Sequence, residues 1–359
     1  MRALALSIFL LVVLCAPARA ADTLFVQTNA PDGRNAVRAL VSTSNGALRS
    51  AGTFRTGQSG TGRRVESQGT LATTEDGRHL AVLDVGSSTV TVFRLGGGRL
   101  RVTDRLGSGG RRPISIASAG GNRFLVLNAG GTPGLSGFEL QDGTLVPLEG
   151  LRAPLSQPGA SPYQVAVSPS GRGVAVSYED GTEGRDVELF EVSGDRLESR
   201  AVAAVQGGAP SPLSFFGEST LVVGRMGPGE PGLATYSVGA GLDSLSLQSS
   251  LTSGGALPCW IQVSSASGRG WATSPTTVGV FAVGPGAKLE SLRSRRLAGR
   301  TSDLWIGETE KNLYVLNERR GRVRVLTLHP SRLTFLGSSE FLPRTTTGIV
   351  DLPNNIGGF

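Results

Sequence analysis

The chain is poor in the residues that carry most protein chemistry. Its 359 residues include two cysteines and two histidines, and lysine occurs only at Lys288 and Lys311. No Cys-x-x-Cys or His-Glu-x-x-His motif is present, so the sequence contains no recognisable metal-ligand set. A Ser-His-Asp triad needs a histidine among converging loops, and neither His79 nor His329 is predicted to lie in one. We therefore expect no metal and no cofactor.

Long apolar runs are absent beyond the N-terminus. Arg2 precedes an apolar stretch from Ala3 to Cys15, which is too short to span a membrane and typical of a signal-peptide core. The small residues of Ala18–Ala20 predict a cleavage site, with the mature chain beginning near Ala21 or Asp22. We therefore predict a signal peptide over 1–20, a secreted or periplasmic protein, and no membrane span.

Cysteine is scarcer still in the predicted mature chain, where only Cys259 is left. An intramolecular disulfide is then impossible, so the fold must be held by packing and strand pairing. Cys259 precedes Trp260 at the start of an apolar strand, which favours a buried small side chain over a reactive thiol. Nothing in the sequence indicates an oligomer, and we expect a monomer.

Positive charge is in excess and is almost entirely arginine. The net charge is +7 and the pI is about 10.2. No aromatic residue is interleaved within the two densest clusters, so they do not predict a stacking platform for single-stranded nucleic acid. We expect both arginine clusters to lie on outer strands and turns. There they form either solvated surface or a contact surface for the cell envelope or a polyanion. The clusters are Arg293, Arg295, Arg296 and Arg300, and Arg319, Arg320, Arg322 and Arg324.

A four-strand unit recurs seven times, at intervals of about 45–50 residues. Period-2 alternation, as in Thr89–Phe93, indicates half-buried strands, and no stretch shows sustained helical periodicity. This pattern predicts an all-β fold: a seven-bladed β-propeller with four-stranded antiparallel blades, formed as one domain by residues 21–359. The predicted inner strands fall within Glu66–Leu71, Arg112–Ile114, Ser161–Val167, Ser211–Phe215, Leu257–Val263, Ser302–Ile306 and Thr346–Asp351.

The two ends of the chain supply parts of one blade. Thr23–Asn29 matches a second strand, whereas the C-terminal segment Thr347–Leu352 matches an inner strand. We therefore predict that the C-terminal strand pairs with the first blade and closes the ring, which leaves no strand edge unpaired.

Several features resemble one propeller family. The strand–turn–strand units end in Asn128 and Asn317, the third strands resemble Thr89–Phe93, and Pro258–Ile261 opens an inner strand. From Asp22 to Asp351 the chain resembles the lactonase family of seven-bladed propellers. That family includes propeller-type 6-phosphogluconolactonases and fungal carboxymuconate cyclases, and its secreted bacterial members are the most similar. The resemblance implies a lactone hydrolase.

The family's catalytic Pro-His motif does not carry over to this chain. The matching positions read Arg112–Ser115, Ser161–Gln164 and Ser211–Ser214, and none contains histidine. Any hydrolysis must then use a carboxylate, and we predict Glu66 or Asp303 as the group that activates water, with an arginine stabilising the oxyanion.

The loops that lead from outer to inner strands converge at one mouth of a propeller and predict a ligand site there. Arginine forks suit carboxylate or phosphate groups, so we expect an anionic small molecule or carbohydrate as ligand. The predicted ligand-binding residues are Arg63, Arg112, Tyr163, Gln164, Arg225, Trp260 and Arg344.

Three functional classes stay open on the sequence alone. The first is a lactonase-like hydrolase. The second is a non-catalytic exported propeller that binds a glycan, a polyanion or a protein. The third, a quinone-dependent redox propeller, is disfavoured because the sequence lacks a metal-ligand cluster.

Overall fold

The protein is built from short antiparallel strands, as a computed structural model shows. The structure describes residues 22–351 except 158, 160, 180–185, 208, 227–230, 254–257, 308–309 and 330–331. The predicted signal peptide lies outside these residues. Within the described ranges there are 28 strands and one short 3-10 helix, Pro285–Ala287, and no helix is long and apolar enough to cross a membrane.

The strands form seven four-stranded sheets, which confirms the predicted seven-bladed propeller. The first blade contains β1 (Thr23–Gln27), β2 (Ala36–Ser42), β3 (Leu48–Arg55) and β28 (Thr347–Asp351). The second contains β4 (Leu71–Thr73), β5 (His79–Asp84), β6 (Thr89–Gly96) and β7 (Arg99–Gly107). The third contains β8 (Arg111–Ser118), β9 (Arg123–Gly130), β10 (Gly134–Gln141) and β11 (Thr144–Pro154).

In the other four blades the strands follow the chain from the innermost to the outermost. The fourth contains β12 (Pro162–Val167), β13 (Gly173–Tyr178), β14 (Val187–Ser193) and β15 (Arg196–Ala203). The fifth contains β16 (Pro210–Phe216), β17 (Thr220–Arg225), β18 (Gly232–Val238) and β19 (Leu245–Thr252). The sixth contains β20 (Trp260–Ser264), β21 (Arg269–Ser274), β22 (Thr277–Val283) and β23 (Leu289–Arg296). The seventh contains β24 (Thr301–Ile306), β25 (Asn312–Asn317), β26 (Arg322–His329) and β27 (Arg332–Ser338).

Tight turns set the strand register. Between β10 and β11, Gln141 pairs with Thr144, and the loop consists of Asp142 and Gly143 alone. Both loop residues have positive φ, 50° and 86°, as a type I′ hairpin requires. Asp-Gly is favoured there because glycine has no Cβ and aspartate tolerates the left-handed region.

The first blade is assembled from both ends of the chain, as predicted. β28 pairs antiparallel with β1, with Leu24 opposite Asp351 and Phe25 opposite Val350. Alternate residues of β1 pack on opposite sides: Leu24 joins a core cluster with Tyr314 of the seventh blade, and Phe25 joins one with Leu80 of the second. Apolar packing between blades therefore continues across the junction of the two ends.

Asp303 fastens the closing strand to the seventh blade. This buried carboxylate accepts the backbone N–H of Leu304 at 2.8 Å and that of Ile349, on β28, at 3.2 Å. Burial raises the pKa of Asp303 to about 8, because desolvation disfavours the charged form more than the two N–H donors favour it.

Deleting 345–359 should remove the cooperative unfolding transition, lower its midpoint by at least about 10 °C, or produce oligomers, because β1 loses its partner and Ile349 and Val350 leave the core. Thermal melting with size-exclusion chromatography and light scattering measures this. A chain ending at Asp351 keeps β28 and is the matched control for the loss of this strand. A monomeric 345–359 deletion with unchanged melting would contradict ring closure.

Stability should fall as pH rises from about 4 to about 8, because the folded chain keeps a proton on Asp303 that the unfolded chain releases. Relative to Asp303→Asn, the free energy of unfolding should decrease by up to about 1.4 kcal/mol per pH unit in this window. Urea titrations at several pH values measure it, with the exposed Asp142→Asn as control. A constant difference between wild type and Asp303→Asn at all pH values would refute this linkage.

Candidate functional site

A cavity of about 640 Å³ opens at the mouth where the outer-to-inner loops of the second, third and fourth blades meet. One wall is the loop before β4, residues 61–70, which we call the mouth segment. The facing walls come from the third and fourth blades. The lining residues are Thr61, Arg63, Arg64, Val65, Glu66, Ser67, Val85, Arg112, Ile114, Ala129, Ser161, Pro162, Tyr163 and Glu179.

The mouth segment crosses the central channel. The Gln68 side chain donates from Nε2 to the carbonyl of Ile261 at 2.8 Å and accepts the Ile261 N–H at Oε1, at 3.1 Å. Ile261 belongs to the sixth blade, so this pair of bonds spans the ring. On the near side, the Ser115 hydroxyl donates to the Gln68 carbonyl at 2.8 Å. The segment is thus tied on both sides of the channel.

Tyr163 forms part of the buried wall of the cavity. Its carbonyl accepts the Ser67 hydroxyl, and its own hydroxyl donates to the Cys259 carbonyl at 3.2 Å, which also joins the fourth blade to the sixth. Burial holds the pKa of Tyr163 well above its usual value and raises the pKa of the Cys259 thiol to about 11. Both groups therefore stay protonated near neutral pH, which favours the packing role expected for Cys259.

Two carboxylates neutralise the charge of Arg64. Its guanidinium contacts Glu66 and lies 3.0 Å from the carboxylate of Glu318, in the seventh blade. It also lies 5.7 Å from the ring centre of Trp260, which is buried in the sixth-blade core. Only 11% of the Arg64 side chain is exposed. Arg64 therefore braces the mouth segment against two blades.

Arg63 and Arg112 differ from Arg64 because no carboxylate of the described chain lies within 4.0 Å of either guanidinium. Both are exposed and line the cavity. Arg112 has φ of 52°, a left-handed conformation that is uncommon for a residue with a Cβ, and its N–H donates to the Ser88 hydroxyl at 3.1 Å. Strained backbone of this kind is concentrated at ligand sites.

Two carboxylates line the same cavity. Glu66, whose side chain is 63% exposed, is held by Arg64, and Glu179 follows the second strand of the fourth blade. Glu179 is absent from the predicted set, in which Arg225 is the one residue taken from the end of a second strand. The end of a second strand lies on the same face of a propeller, so this position was available from the strand order.

Five predicted site residues lie outside this cavity lining: Gln164, Arg225, Trp260, Asp303 and Arg344. Gln164 bonds the Leu213 N–H and carbonyl at 2.9 and 3.0 Å and so joins the fourth and fifth blades. Arg225, 2% exposed, donates to the Gln206 carbonyl and to Ser250 on an outer strand. Arg344 is exposed on the loop before β28, and Asp303 is buried beside β28.

Trp260 packs in the sixth-blade core, outside the cavity lining, and lies beside Arg64 of the mouth segment. Across the described ranges, no group of three His, Cys, Asp or Glu residues is arranged to hold a metal ion. The cavity therefore brings together Arg63, Glu66, Arg112 and Tyr163 of the predicted set, and adds Glu179.

No known protein family and no curated protein matches the sequence. Solved structures do match the fold. The periplasmic gluconolactonase PpgL of Pseudomonas aeruginosa is 15% identical, with a TM-score of 0.76 over 93% of this chain and 99% of that one. A candidate 6-phosphogluconolactonase of Bacteroides uniformis is also 15% identical, with a TM-score of 0.75 over 93% and 100%.

The same architecture occurs with other chemistry. Hydrazine synthase of Kuenenia stuttgartiensis is 16% identical over 75% of this chain and 79% of that one, with a TM-score of 0.55. At such low identity the likeness shows the fold alone, because one propeller architecture hosts unrelated activities. The chain thus shares the fold of 6-phosphogluconolactonase-like seven-bladed propellers.

Proposed function

We propose that this chain is an exported propeller that binds a small anionic ligand of the sugar-acid class in the mouth cavity. The observation that carries the proposal is that Arg63 and Arg112 line one concave site while no carboxylate of the described residues lies within 4.0 Å of either guanidinium. An arginine fork matches a carboxylate in shape and charge. A carboxylate bound there would supply the counter-charge that these two side chains lack.

The size and lining of the cavity fit such a ligand. A volume of about 640 Å³ is in the range of small-molecule pockets, which run to roughly 300–1,000 Å³. Glu66, Glu179 and Ser161 add acceptors or hydroxyls that suit sugar hydroxyl groups. Pro162 and Ile114 offer apolar surface for the faces of a sugar ring.

Two further points support the proposal without testing it. The neighbours in fold include proteins named as a periplasmic gluconolactonase and a candidate 6-phosphogluconolactonase, whose names refer to sugar lactones. The apolar stretch and small-residue site over 1–20 are those of a signal peptide and support export to the periplasm or the medium.

Replacing Arg63 and Arg112 together by alanine should weaken binding of gluconate or glucuronate at least ten-fold, because each charged hydrogen bond is worth roughly 1.5–3 kcal/mol. Isothermal titration calorimetry measures the affinity. Arg111→Ala is the matched control, since Arg111 is exposed next to Arg112 but does not line the cavity. Equal affinities for the double variant and the wild type would sink the proposal.

A second candidate function is lactone hydrolysis in the same cavity, favoured because carboxylates and unpaired guanidiniums line it together. Glu66 would take a proton from water as the water oxygen attacks the lactone carbonyl carbon. Arg63 or Arg112 would stabilise the oxyanion. The ring C–O bond then breaks, and the proton passes from Glu66 to the departing alkoxide, leaving the hydroxy acid.

If the cavity is catalytic, Glu66→Gln should lower kcat/KM on sugar lactones by a factor of about 100 or more, since it removes the general base. Lactone consumption by the purified chain is followed across a panel of sugar and aliphatic lactones. Asp303→Asn should keep activity because Asp303 lies outside the cavity lining. Activity lost in a folded Asp303→Asn variant would instead assign the base to Asp303.

Ligand binding without turnover of any lactone would identify the non-catalytic alternative, a propeller that captures its ligand and leaves it unchanged. The two experiments therefore separate binding from chemistry at one site.

A further inference from the structure

A second arginine-rich surface lies on the rim of the propeller, between the sixth and seventh blades. Its members come from β23, from the turn between β25 and β26, from β26 and β27, and from the loop before β28. We call it the rim patch, and it consists of Arg295, Arg320, Arg322, Arg324, Phe335 and Phe341.

The four arginines have no acidic partner. Among the described residues, no carboxylate lies within 4.0 Å of Arg295, Arg320, Arg322 or Arg324, whereas Arg300 nearby lies 3.9 Å from Glu318. Burial lowers the pKa of Arg324, and the charges of Arg320, Arg295 and Arg322 lower it further. Like charges are thus held close together, an arrangement that costs free energy in the isolated protein.

Aromatic rings lie among these cations. Arg322 stacks over Phe341 with its guanidinium carbon 4.1 Å from the ring centre, and Arg324 lies 5.3 Å from the ring centre of Phe335. Phe341 is 70% exposed and Phe335 is 44% exposed. Each guanidinium lies over a ring, and Arg322 also donates one N–H to the Ser338 hydroxyl at 3.3 Å. A guanidinium has five N–H donors, so others remain for an anion.

We propose that the rim patch docks the protein on an anionic phospholipid bilayer. The arginines would bind headgroup phosphates, and Phe341 would enter the interfacial region of the bilayer. The exposed rings favour a bilayer over a soluble polyanion, because a bilayer offers both a layer of phosphates and an apolar layer beneath it. A polyanion would use the arginines and leave the 70% exposed ring of Phe341 in water.

The proposal is independent of the mouth cavity, since no member of the rim patch lines that cavity. It also gives a role to Arg320, Arg322 and Arg324, which the proposed ligand site does not include. Ligand binding could therefore fail while docking succeeds, or the reverse.

Co-sedimentation with vesicles tests the docking. The exported chain is purified, and mass spectrometry determines its N-terminal residue. It is then mixed with vesicles of phosphatidylcholine alone or of phosphatidylcholine with phosphatidylglycerol. Binding should require phosphatidylglycerol and weaken with salt. Replacing Arg320, Arg322 and Arg324 together by alanine should weaken it about 100-fold, because each basic residue near an anionic surface contributes about five-fold.

Matched variants separate charge, apolar insertion and folding. Arg99→Ala with Arg101→Ala removes two exposed cations from the second blade and should change vesicle binding less than three-fold. These residues begin β7, at the face opposite the mouth and two blades from the seventh. Arg322→Lys with Arg324→Lys should keep most binding, and Phe341→Ser should weaken it several-fold at unchanged charge. Cooperative melting of each variant shows that it is folded.

Three outcomes would overturn the proposal. The first is equal binding to vesicles with and without phosphatidylglycerol. The second is unchanged binding by the folded triple variant. The third is retention of the wild type by a soluble acidic polysaccharide, through the same arginines, with no binding to vesicles, and this would assign the patch to polyanions instead.

Discussion

The pairing of β1 with β28 is the constraint on which the rest of the molecule depends. Each blade buries its faces only against its neighbours, so the ring needs every blade complete. Because the first blade takes one strand from the far end of the chain, its core contacts with the second and seventh blades both require β28. The same strand contacts the wall of the mouth cavity, since the Thr347 hydroxyl donates to the carbonyl of Val65 in the mouth segment.

The mouth segment restricts the cavity to one side of the propeller mouth. The Gln68 bonds to Ile261 and the Tyr163 bond to Cys259 both reach across to the sixth blade. Arg64 fixes the same segment to Glu318 of the seventh blade. The cavity is therefore confined to the sector of the second to fourth blades, and it is lined by a segment held at several points, which preorganises it for a ligand.

The sequence predicted the architecture well because its signals are local and repeated. Alternation such as Thr89–Phe93 and turns such as Asp142–Gly143 specify each hairpin, and the unequal ends specify the split blade. Strand order also decides on which face of the propeller a loop lies. The sequence therefore predicted a position at the mouth for Glu66, Arg63, Arg112 and Tyr163. The direction of a side chain is not encoded in this way. Gln164 and Arg225 were predicted at the site, but Gln164 bonds across to the fifth blade and Arg225 bonds Gln206 and Ser250. The crossing by Gln68 depends on the width of the ring, which no local pattern contains.

The turn that carries Arg320 of the rim patch lies on the same face of the propeller as the cavity. Val85 and Ala129, which line the cavity, stand where second strands lead into third strands, and Arg320 occupies the same kind of turn in the seventh blade. A bilayer bound by the rim patch would therefore hold the mouth beside the membrane surface. Both sites use arginines that lack carboxylate partners in the described chain, and a guanidinium keeps its charge at any physiological pH. Part of the excess positive charge thus lies on arginines that have no carboxylate within 4.0 Å among the described residues. On the two proposals, a small anion at the cavity and a bilayer at the rim patch would supply the missing counter-charge.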